Sequence, residues 1–337
     1  MLTIKNRTLD TPLLLAPMAG LTHSALRTLL LSCGGVGLLS TEMLAARKLP
    51  MENPKISPYL VRTDEEIPLS YQLLVTDGEE IAPALEALHR FSADFVDLNF
   101  GCPAPRVRKA GGGISLMSDP IRVREIIRTA RLETDLPLTA KIRLGERLDA
   151  SLLRDFCLML QDEGLDMLTV HARLRGESFC RKPRWEWVGK VKEWLDIPVV
   201  ANGGIFSVED AARCLELSGA DGLMLGRAAA QSPWLFAEIA REIYNLDLTM
   251  PEIILPRLYA QFALGLIRFR PERRLGRLKE FTHYFALNYP FGHHLAMGVQ
   301  KSATPVEAWQ QAVDFLSRTD PEGLTMVETQ AVSAALS

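Results

Sequence analysis

Short, unbroken apolar runs recur along the first two thirds of the chain, and they limit its possible folds more than any other feature. Continuous rather than alternating hydrophobicity is typical of parallel strands that are buried on both faces. We therefore predict eight strands, at Leu13–Pro17, Val36–Glu42, Leu69–Leu74, Phe95–Asn99, Leu138–Arg143, Met167–His171, Pro198–Asn202 and Gly222–Gly226.

Amphipathic segments with helical periodicity lie between most of these runs. Strands that alternate with helices in this way predict an α/β fold, a (β/α)₈ TIM barrel. The competing arrangement is a doubly wound open sheet, which usually has a G-x-G-x-x-G motif after its first strand; this chain has none. The predicted helices are Ser24–Ser32, Glu79–Phe91, Pro120–Glu133, Leu152–Glu163, Trp185–Leu195 and Val208–Ser218.

The pattern changes near Asn245, where helical periodicity continues without strands over Pro256–Arg268, Arg274–Asn288 and Pro305–Ser317. We predict a barrel over residues 1–244 and a separate C-terminal all-helical domain over residues 245–337. On charge alone, the basic cluster at the entrance of this domain is better explained as a solvated helix face. The cluster consists of Arg268, Arg270, Arg273, Arg274, Arg277 and Lys279.

Composition excludes several classes of protein. The net charge is −3, so a nucleic-acid surface would have to be local. The five cysteines form no C-x-x-C pair, which argues against a zinc site or a disulfide framework. The N-terminus lacks the apolar core of a signal peptide, and no apolar run approaches membrane-spanning length. No metal is expected, because no carboxylate cluster stands at the strand ends.

The stretch Asp97-Leu-Asn-Phe-Gly-Cys-Pro-Ala-Pro105 delivers a lone cysteine to the end of a predicted strand. Gly101 and Pro103 flank Cys102, and neither continues a central strand. A loop of this kind could hold a thiol over a site. On these residues alone the alternative remains that Cys102 is a small buried hydrophobe, as most free cysteines are.

Polar residues follow nearly every predicted strand, which predicts a lined pocket at the carboxyl end of the barrel. The turn Asn202-Gly203-Gly204 and the pair Gly226-Arg227 follow the seventh and eighth strands, where barrels often bind phosphate. The alternative is that these glycines only permit tight turns. Lys141 and His171 could likewise be a salt-bridged lysine and a core histidine.

Seven motifs, taken together and in this order, resemble the tRNA-dihydrouridine synthase family. The Asn-x-Gly-Cys-Pro element is the most specific, and the resemblance covers the barrel from about residue 10 to residue 240. The motifs are Leu15-Ala-Pro-Met-Ala-Gly20, Ser40-Thr-Glu-Met43, Asp97-Leu-Asn-Phe-Gly-Cys-Pro103, Lys141-Ile-Arg143, Val170-His-Ala-Arg173, Pro198-Val-Val-Ala-Asn-Gly203 and Gly222-Leu-Met-Leu-Gly-Arg-Ala228.

The resemblance implies an FMN-dependent barrel that reduces the C5–C6 bond of uridine in tRNA, with NADPH as the reductant of the flavin. It implies that Cys102 is the proton donor, and a thiol is mostly protonated at neutral pH. The implied substrate-binding residues are Asn99, Arg143 and Arg173. The implied FMN-binding residues are Ala16, Pro17, Met18, Gln72, Lys141, His171, Asn202, Gly203, Gly204, Gly226 and Arg227.

The resemblance further implies that residues 1–244 are the FMN-binding catalytic domain and that the helical domain, residues 245–337, binds RNA, with tRNA as the partner. Because a signal peptide and a membrane-spanning run are not indicated, we expect a cytoplasmic protein without membrane attachment, and we expect a monomer. The chain departs from the family pattern at Gly204, where many members have an acidic or amide side chain, and in the loop Ala110-Gly-Gly-Gly-Ile-Ser115. Two alternatives stay open: an FMN barrel that reduces a free pyrimidine or another small unsaturated substrate, and a non-catalytic RNA-binding protein.

If the partner is tRNA, basic residues of the barrel would face the RNA together with the cluster of the helical domain. They are Arg106, Arg108, Lys109, Arg175, Arg181 and Lys182.

Overall fold

The computed structural model describes residues 1–250 and 252–337, and the chain divides into two compact units. The second unit takes in two segments that precede the third predicted strand. The predicted division at residue 244 between catalytic and RNA-binding domains stays a prediction. The first unit comprises Met1–Pro17, Val36–Asn53 and Ile67–Gly226, and the second comprises Met18–Gly35, Pro54–Glu66 and Arg227–Ser337.

Eight parallel strands of the first unit form a nearly closed barrel among the described residues, which confirms the predicted fold. They are β3, β4 and β6 to β11, paired in the order β3-β11-β10-β9-β8-β7-β6-β4. A parallel bridge between Leu14 in β3 and Leu38 beside β4 completes the circuit. The strands are β1 Leu2–Ile4, β2 Arg7–Leu9, β3 Leu13–Leu15, β4 Leu39–Ser40, β5 Leu44–Ala45, β6 Leu69–Leu74, β7 Phe95–Asn99, β8 Leu138–Arg143, β9 Met167–His171, β10 Val199–Asn202 and β11 Gly222–Leu225.

Three short strands and one short helix, α3, of the first unit were not predicted. Strands β1 and β2 form an antiparallel hairpin, and β5 adds a second pairing to β6. The apolar residues of the barrel strands are buried, except for the half-buried Leu74, as expected of strands packed between an interior and an outer layer of helices.

Helices α2 to α7 belong to the first unit, and α1 and α8 to α14 belong to the second. No helix within the described residues is both long and apolar enough to cross a membrane. The helices are α1 Ser24–Cys33, α2 Ile81–Arg90, α3 Pro105–Lys109, α4 Pro120–Glu133, α5 Ala150–Asp162, α6 Trp185–Trp194, α7 Val208–Ser218, α8 Arg227–Gln231, α9 Leu235–Glu242, α10 Leu255–Gly265, α11 Arg274–Phe285, α12 His293–Lys301, α13 Pro305–Thr319 and α14 Met326–Leu336.

Buried aromatic side chains form the core of the second unit. The rings of Phe262 and Phe281 stack with their centroids 3.7 Å apart, and the ring of Tyr259 lies parallel to that of Trp309. The Tyr259 hydroxyl is 2.7 Å from Thr282 Oγ1, so its polar end has a partner. Aromatic residues carry large apolar area, and this cluster therefore supplies much of the packing between helices α10, α11 and α13.

Candidate active site

The strand register brings the predicted polar residues together at the carboxyl end of the barrel. Asn99 lies opposite Lys141 across β7 and β8. Across β8 and β9 Arg143 lies opposite His171, which in turn faces Asn202 on β10. These residues thus form a continuous arc at one end of the sheet, as the sequence predicts, while their individual roles stay predictions.

A chain of short hydrogen bonds connects this arc to the candidate catalytic cysteine. Asp97 Oδ1 accepts from Thr139 Oγ1, and Asp97 Oδ2 accepts from Gln72 Nε2, both at 2.6 Å. Gln72 Oε1 accepts from Asn99 Nδ2 at 2.7 Å, and Asn99 Oδ1 accepts from the backbone N–H of Cys102 at 2.9 Å. All four side chains of the chain are buried, so their polar groups need these partners.

Asp97 and Thr139 were not among the sequence-predicted site residues. A signal for Asp97 was available, because it is a carboxylate in the middle of an otherwise apolar run. Burial raises the pKa of Asp97, while the hydrogen bonds from Thr139 and Gln72 and the charge of Lys141 act in the opposite direction. This carboxylate is held mainly by neutral donors.

Cys102 is half-buried, on the loop between β7 and α3. Its carbonyl oxygen accepts from the backbone N–H of Ile114 at 3.2 Å. Gly113 has φ of +59°, and a Cβ added there would lie 2.5 Å from that same carbonyl oxygen. The backbone of Gly113 therefore lies directly against Cys102.

Lys141 is half-buried on β8. Desolvation lowers the pKa of its ammonium group to about 7, and the charge of Arg143 acts in the same direction. Asp97 and Cys102 act in the opposite direction. A cationic group whose charge is poorly compensated is suited to meet a negative charge that arrives with a ligand.

Arg143 and Arg173 direct much of their donor capacity into the loop that follows β9. Arg173 Nε donates to the carbonyl oxygen of Arg181 at 2.8 Å, and Arg143 Nη1 donates to that of Leu174 at 2.9 Å. The guanidinium carbon of Arg143 lies 5.6 Å from the ring centroid of Phe179. Both arginines thus hold this loop, and their predicted contacts with substrate stay a prediction.

His171 lies between this loop and the glycine turn after β10. Its ring is stacked on that of Phe179, and its Nε2 is 3.2 Å from Arg173 Nη1. A guanidinium group only donates, so Nε2 accepts here and the ring proton is on Nδ1. A ring contact on one face and a hydrogen bond at Nε2 thus hold His171 in position.

The turn Asn202-Gly203-Gly204 has positive φ at both glycines, +104° and +78°. A Cβ on Gly203 would lie 2.6 Å from His171 Nε2, and one on Gly204 would lie 2.7 Å from Pro183 Cγ. Trp185 Nε1 also donates to the carbonyl oxygen of Gly203 at 2.9 Å. Pro183 therefore fills the space next to Gly204, which accounts for the departure from the family pattern at this position.

The remaining predicted residues divide between the two units. Ala16 follows β3 and donates its backbone N–H to the carbonyl oxygen of Leu225 at 2.8 Å, at the end of β11. Pro17 and Gly226 also belong to the first unit. Met18 and Arg227 belong to the second unit, where Met18 donates its backbone N–H to Thr22 Oγ1 at 3.0 Å.

Comparison with known proteins identifies relatives along most of the chain. A family model described as dihydrouridine synthase matches residues 14–311. A probable tRNA-dihydrouridine synthase 1 of Synechocystis sp. PCC 6803 is 38% identical over 320 residues, which cover 94% of this chain and 88% of that protein. The tRNA-dihydrouridine(16) synthase of Pseudomonas putida is 34% identical over 82% of this chain and 88% of its own length.

Two further similarities extend this picture. The tRNA-dihydrouridine(16) synthase of Neisseria meningitidis serogroup A is 37% identical over 70% of this chain and 72% of its own length. A solved structure of 2-naphthoyl-CoA reductase superposes with a TM-score of 0.53 and 11% identity, over 71% of this chain and 51% of that one. At this level of identity the structural likeness concerns the fold alone.

Proposed function

The chain belongs to the dihydrouridine synthase family, and from that premise we propose that it reduces uridine in tRNA with FMN as its cofactor and NADPH as its reductant. The observation that carries the proposal is the placement of Cys102, whose backbone N–H is held at the mouth of the barrel by Asn99 Oδ1. Lys141 stands opposite Asn99 on the next strand, and its pKa is lowered by desolvation. A thiol and a lysine therefore both lie next to Asn99 at this end of the barrel.

The glycine turn fits the phosphate of FMN. Within residues 1–250 and 252–337, the backbone N–H groups of Gly203 and Gly204 have no hydrogen-bond partner. Consecutive free N–H groups attract anions, and glycine allows a close approach of the ligand. Asn202 Nδ2 donates to the carbonyl oxygen of Met224 at 2.7 Å and so ties this turn to β11, the strand that ends at the proposed second half of the site, Gly226 and Arg227.

The side chains of the barrel mouth divide the work of the reaction. When bound, FMN supplies the hydride for the C5–C6 bond of uracil. Cys102 transfers a proton to C5, since its thiol is the proton-bearing group that the loop holds in place. Lys141 stabilises negative charge on the ligand, and His171 and Gln72 support the ring system. Arg143 and Arg173 shape the wall of the pocket by holding the loop of Phe179.

Basic residues on each unit support RNA as the partner. In the first unit, α3 follows Cys102 directly and exposes Arg106, Arg108 and Lys109. In the second unit, a cavity of about 110 Å³ has Arg270 and Arg273 among its lining residues. A phosphate group suits such arginine-rich sites. The cavity is also lined by Lys55, Arg268 and Glu272.

Not all of the predicted cluster is available for RNA. Arg274 donates to the carbonyl oxygens of Phe269 and Ala335 at 2.9 and 3.1 Å, and the Arg277 guanidinium lies 4.4 Å from the ring centroid of Phe269. These two arginines stabilise the helical unit. We therefore assign contact with tRNA phosphates to the exposed members Arg268, Arg270 and Arg273.

The names of the Pseudomonas and Neisseria relatives support uridine 16 as the target, and acting on tRNA would place the enzyme in the cytoplasm. The test is to map dihydrouridine in tRNA from cells with and without the gene, and after complementation with wild-type or Cys102→Ala protein. Loss of dihydrouridine at one position, restored only by the wild type, is expected. An unchanged tRNA map, or equal rates with free uridine and tRNA, would overturn the proposal.

A further inference from the structure

The hydrogen bonds that lead to Cys102 begin at Asp97, a residue that the proposed reaction does not use. We propose that Asp97 is a positioning residue which, acting through Gln72 and Asn99, holds the Cys102 thiol where it transfers its proton. The effect on turnover rests on the proposed function. The placement of the thiol, however, can be measured without any turnover.

The direction of every hydrogen bond in this chain follows from Asp97. A carboxylate accepts hydrogen bonds and does not donate them, so Gln72 must present its Nε2 to Asp97. Gln72 Oε1 then faces Asn99, which must present its Nδ2. The remaining atom, Asn99 Oδ1, is therefore turned towards the loop that carries the cysteine.

The two amides could not fix this direction by themselves. If Gln72 and Asn99 both turned end for end, their mutual hydrogen bond would survive with donor and acceptor exchanged. Asn99 would then point its NH₂ group at the backbone N–H groups of the loop, which are donors as well. The N–H groups of the loop disfavour this arrangement at one end, and Asp97, an acceptor, opposes it at the other end. Thr139 Oγ1 occupies the second oxygen of Asp97 and keeps the carboxylate in place.

The last side chain in this series of hydrogen bonds, that of Asn99, acts on the backbone next to the thiol. Asn99 Oδ1 accepts from Gly101 N at 3.2 Å and from Cys102 N at 2.9 Å. The carbonyl oxygen of Cys102 is held separately by Ile114 N. The cysteine is thus clamped through both of its peptide groups, and reversal of Asn99 releases one side. A displacement of about 1 Å is enough to cost an enzyme roughly 100-fold in rate.

Thiol labelling tests the placement directly. In a Cys180→Ser background, Cys102 is the accessible thiol among those described, since Cys33, Cys157 and Cys214 are buried. In the FMN-loaded enzyme, Asp97→Leu should label with iodoacetamide about fivefold faster, as expected when the loop loses one hydrogen bond. Turnover on tRNA should fall about 10- to 100-fold, with KM for NADPH unchanged.

The matched control is Asp94→Leu. Asp94 directly precedes the same strand, and its carboxylate accepts from Leu69 N at 2.9 Å, at the opposite end of the barrel. This variant should label like the background protein. If both variants label faster to the same degree, the effect is a general loosening of the barrel and the proposal is wrong.

A charge-conserving double variant tests the direction of the chain. In Asp97→Leu with Gln72→Glu, the new carboxylate at 72 can accept from Asn99 Nδ2. Asn99 Oδ1 then faces the loop again, and labelling should return to within about twofold of the background rate. A double variant that labels as fast as Asp97→Leu would overturn the proposal, as would normal labelling in a folded Asp97→Leu protein.

A second interruption keeps the test available if Asp97→Leu does not fold. Gln72→Met removes the amide between Asp97 and Asn99 without changing the buried charge, and the same rise in labelling is expected. Labelling at the background rate would contradict the role of the chain. A failure of the proposed function itself looks different: the wild type would not reduce tRNA, while the labelling differences between variants would remain.

Discussion

Two fully buried carboxylates, one in each unit, are held in opposite ways. In the second unit, Glu66 forms an ion pair with Arg27, and it also accepts from Ser24 Oγ at 2.5 Å and Thr63 N at 2.9 Å. In the first unit, Asp97 accepts from the neutral donors Thr139 and Gln72. Glu66 thus has its charge neutralised locally, and Asp97 keeps an orienting negative charge.

The partners of Arg27 explain what Glu66 does. Arg27 also donates to the carbonyl oxygens of Thr22 and Val61, at 2.7 and 2.8 Å. The pair therefore ties helix α1 to the segment Pro54–Glu66 within the second unit. Glu66, a buried charge with a complete set of partners, therefore stabilises the fold. Asp97 instead orients the amides of Gln72 and Asn99 towards the loop of the reactive thiol. Activity and stability should respond separately to changes at the two places.

The largest expected effect is on the rate of the reaction at the barrel mouth, and it should leave the stability of the protein unchanged. Cys102→Ala should lower the rate of tRNA reduction by about 10²- to 10⁴-fold, since a general acid is lost. Reduction of the flavin by NADPH and the melting temperature should stay near wild-type values, because the loop is held through backbone groups. Rapid-reaction kinetics of the two half-reactions would measure this, and near-normal reduction of tRNA would make Cys102 a structural residue.

The reverse outcome is expected in the second unit. Glu66→Gln leaves the Arg27 guanidinium buried without its counter-charge, which should lower the free energy of unfolding by about 3–5 kcal/mol. Turnover per folded molecule should persist. The same substitution at Glu86, an exposed partner of Arg90, should change stability by less than about 0.5 kcal/mol. Urea unfolding of both variants measures this difference. Equal losses in the free energy of unfolding would show that the buried and the exposed carboxylate stabilise the protein alike.

The elements of the fold could be predicted where the apolar pattern of an element and the residues at its ends indicate the same bounds. Strands β6 to β9 have the predicted bounds, because parallel strands between two layers are mainly apolar and contrast with the polar loops around them. Helices α4 and α7 also match, since Asp119 and Ser207 cap their first turns. Helix α12 was not predicted, and its N-cap, Gly292, offers no side-chain signal. The hairpin of β1 and β2 is too short to establish a period.

The site was predictable as a set of residues and not as a network. Polar residues at or near the end of an apolar run can be recognised in the sequence, as Gln72 and Asn99 are. Their hydrogen bond to each other depends on the register and direction of neighbouring strands, which a single sequence does not contain. For the same reason the turn of Arg173 towards the backbone of its own loop could not be foreseen. Long side chains choose among several partners only after the chain has folded.

A smaller effect concerns pH and a second buried titratable group of the helical unit. Burial, followed by the charges of Arg277 and Arg27, lowers the pKa of His23 well below its usual value. In the unfolded chain the same imidazole binds a proton below about pH 6.5. The unfolded state therefore binds more protons in acid, and stability falls as the pH drops through this value.

Replacing His23 by phenylalanine should remove this contribution. The ring would stay among aromatic neighbours, since His23 contacts Phe262 and Phe269. Wild type should lose more stability than His23→Phe between pH 7.5 and pH 5, as measured by urea unfolding. Parallel pH profiles for the two proteins would show that His23 is protonated equally in both states.

The smallest effect on the fold, and a specific one on RNA, is expected from the exposed arginines of the second unit. Arg270 and Arg273 line the cavity of about 110 Å³ and lie on its surface, in contrast to the partly buried Arg274 of the same cluster. If they contact tRNA phosphates, Arg270→Ala with Arg273→Ala should weaken binding and reduce the slope of log K against log salt by about two units. Arg318→Ala, an exposed arginine outside the cavity lining, is the control, and neither protein should change in thermal stability. Equal salt slopes for the double variant, the control and wild type would show that these arginines form a solvated helix face. The contact with tRNA phosphates would then have to be assigned to other basic residues than Arg270 and Arg273.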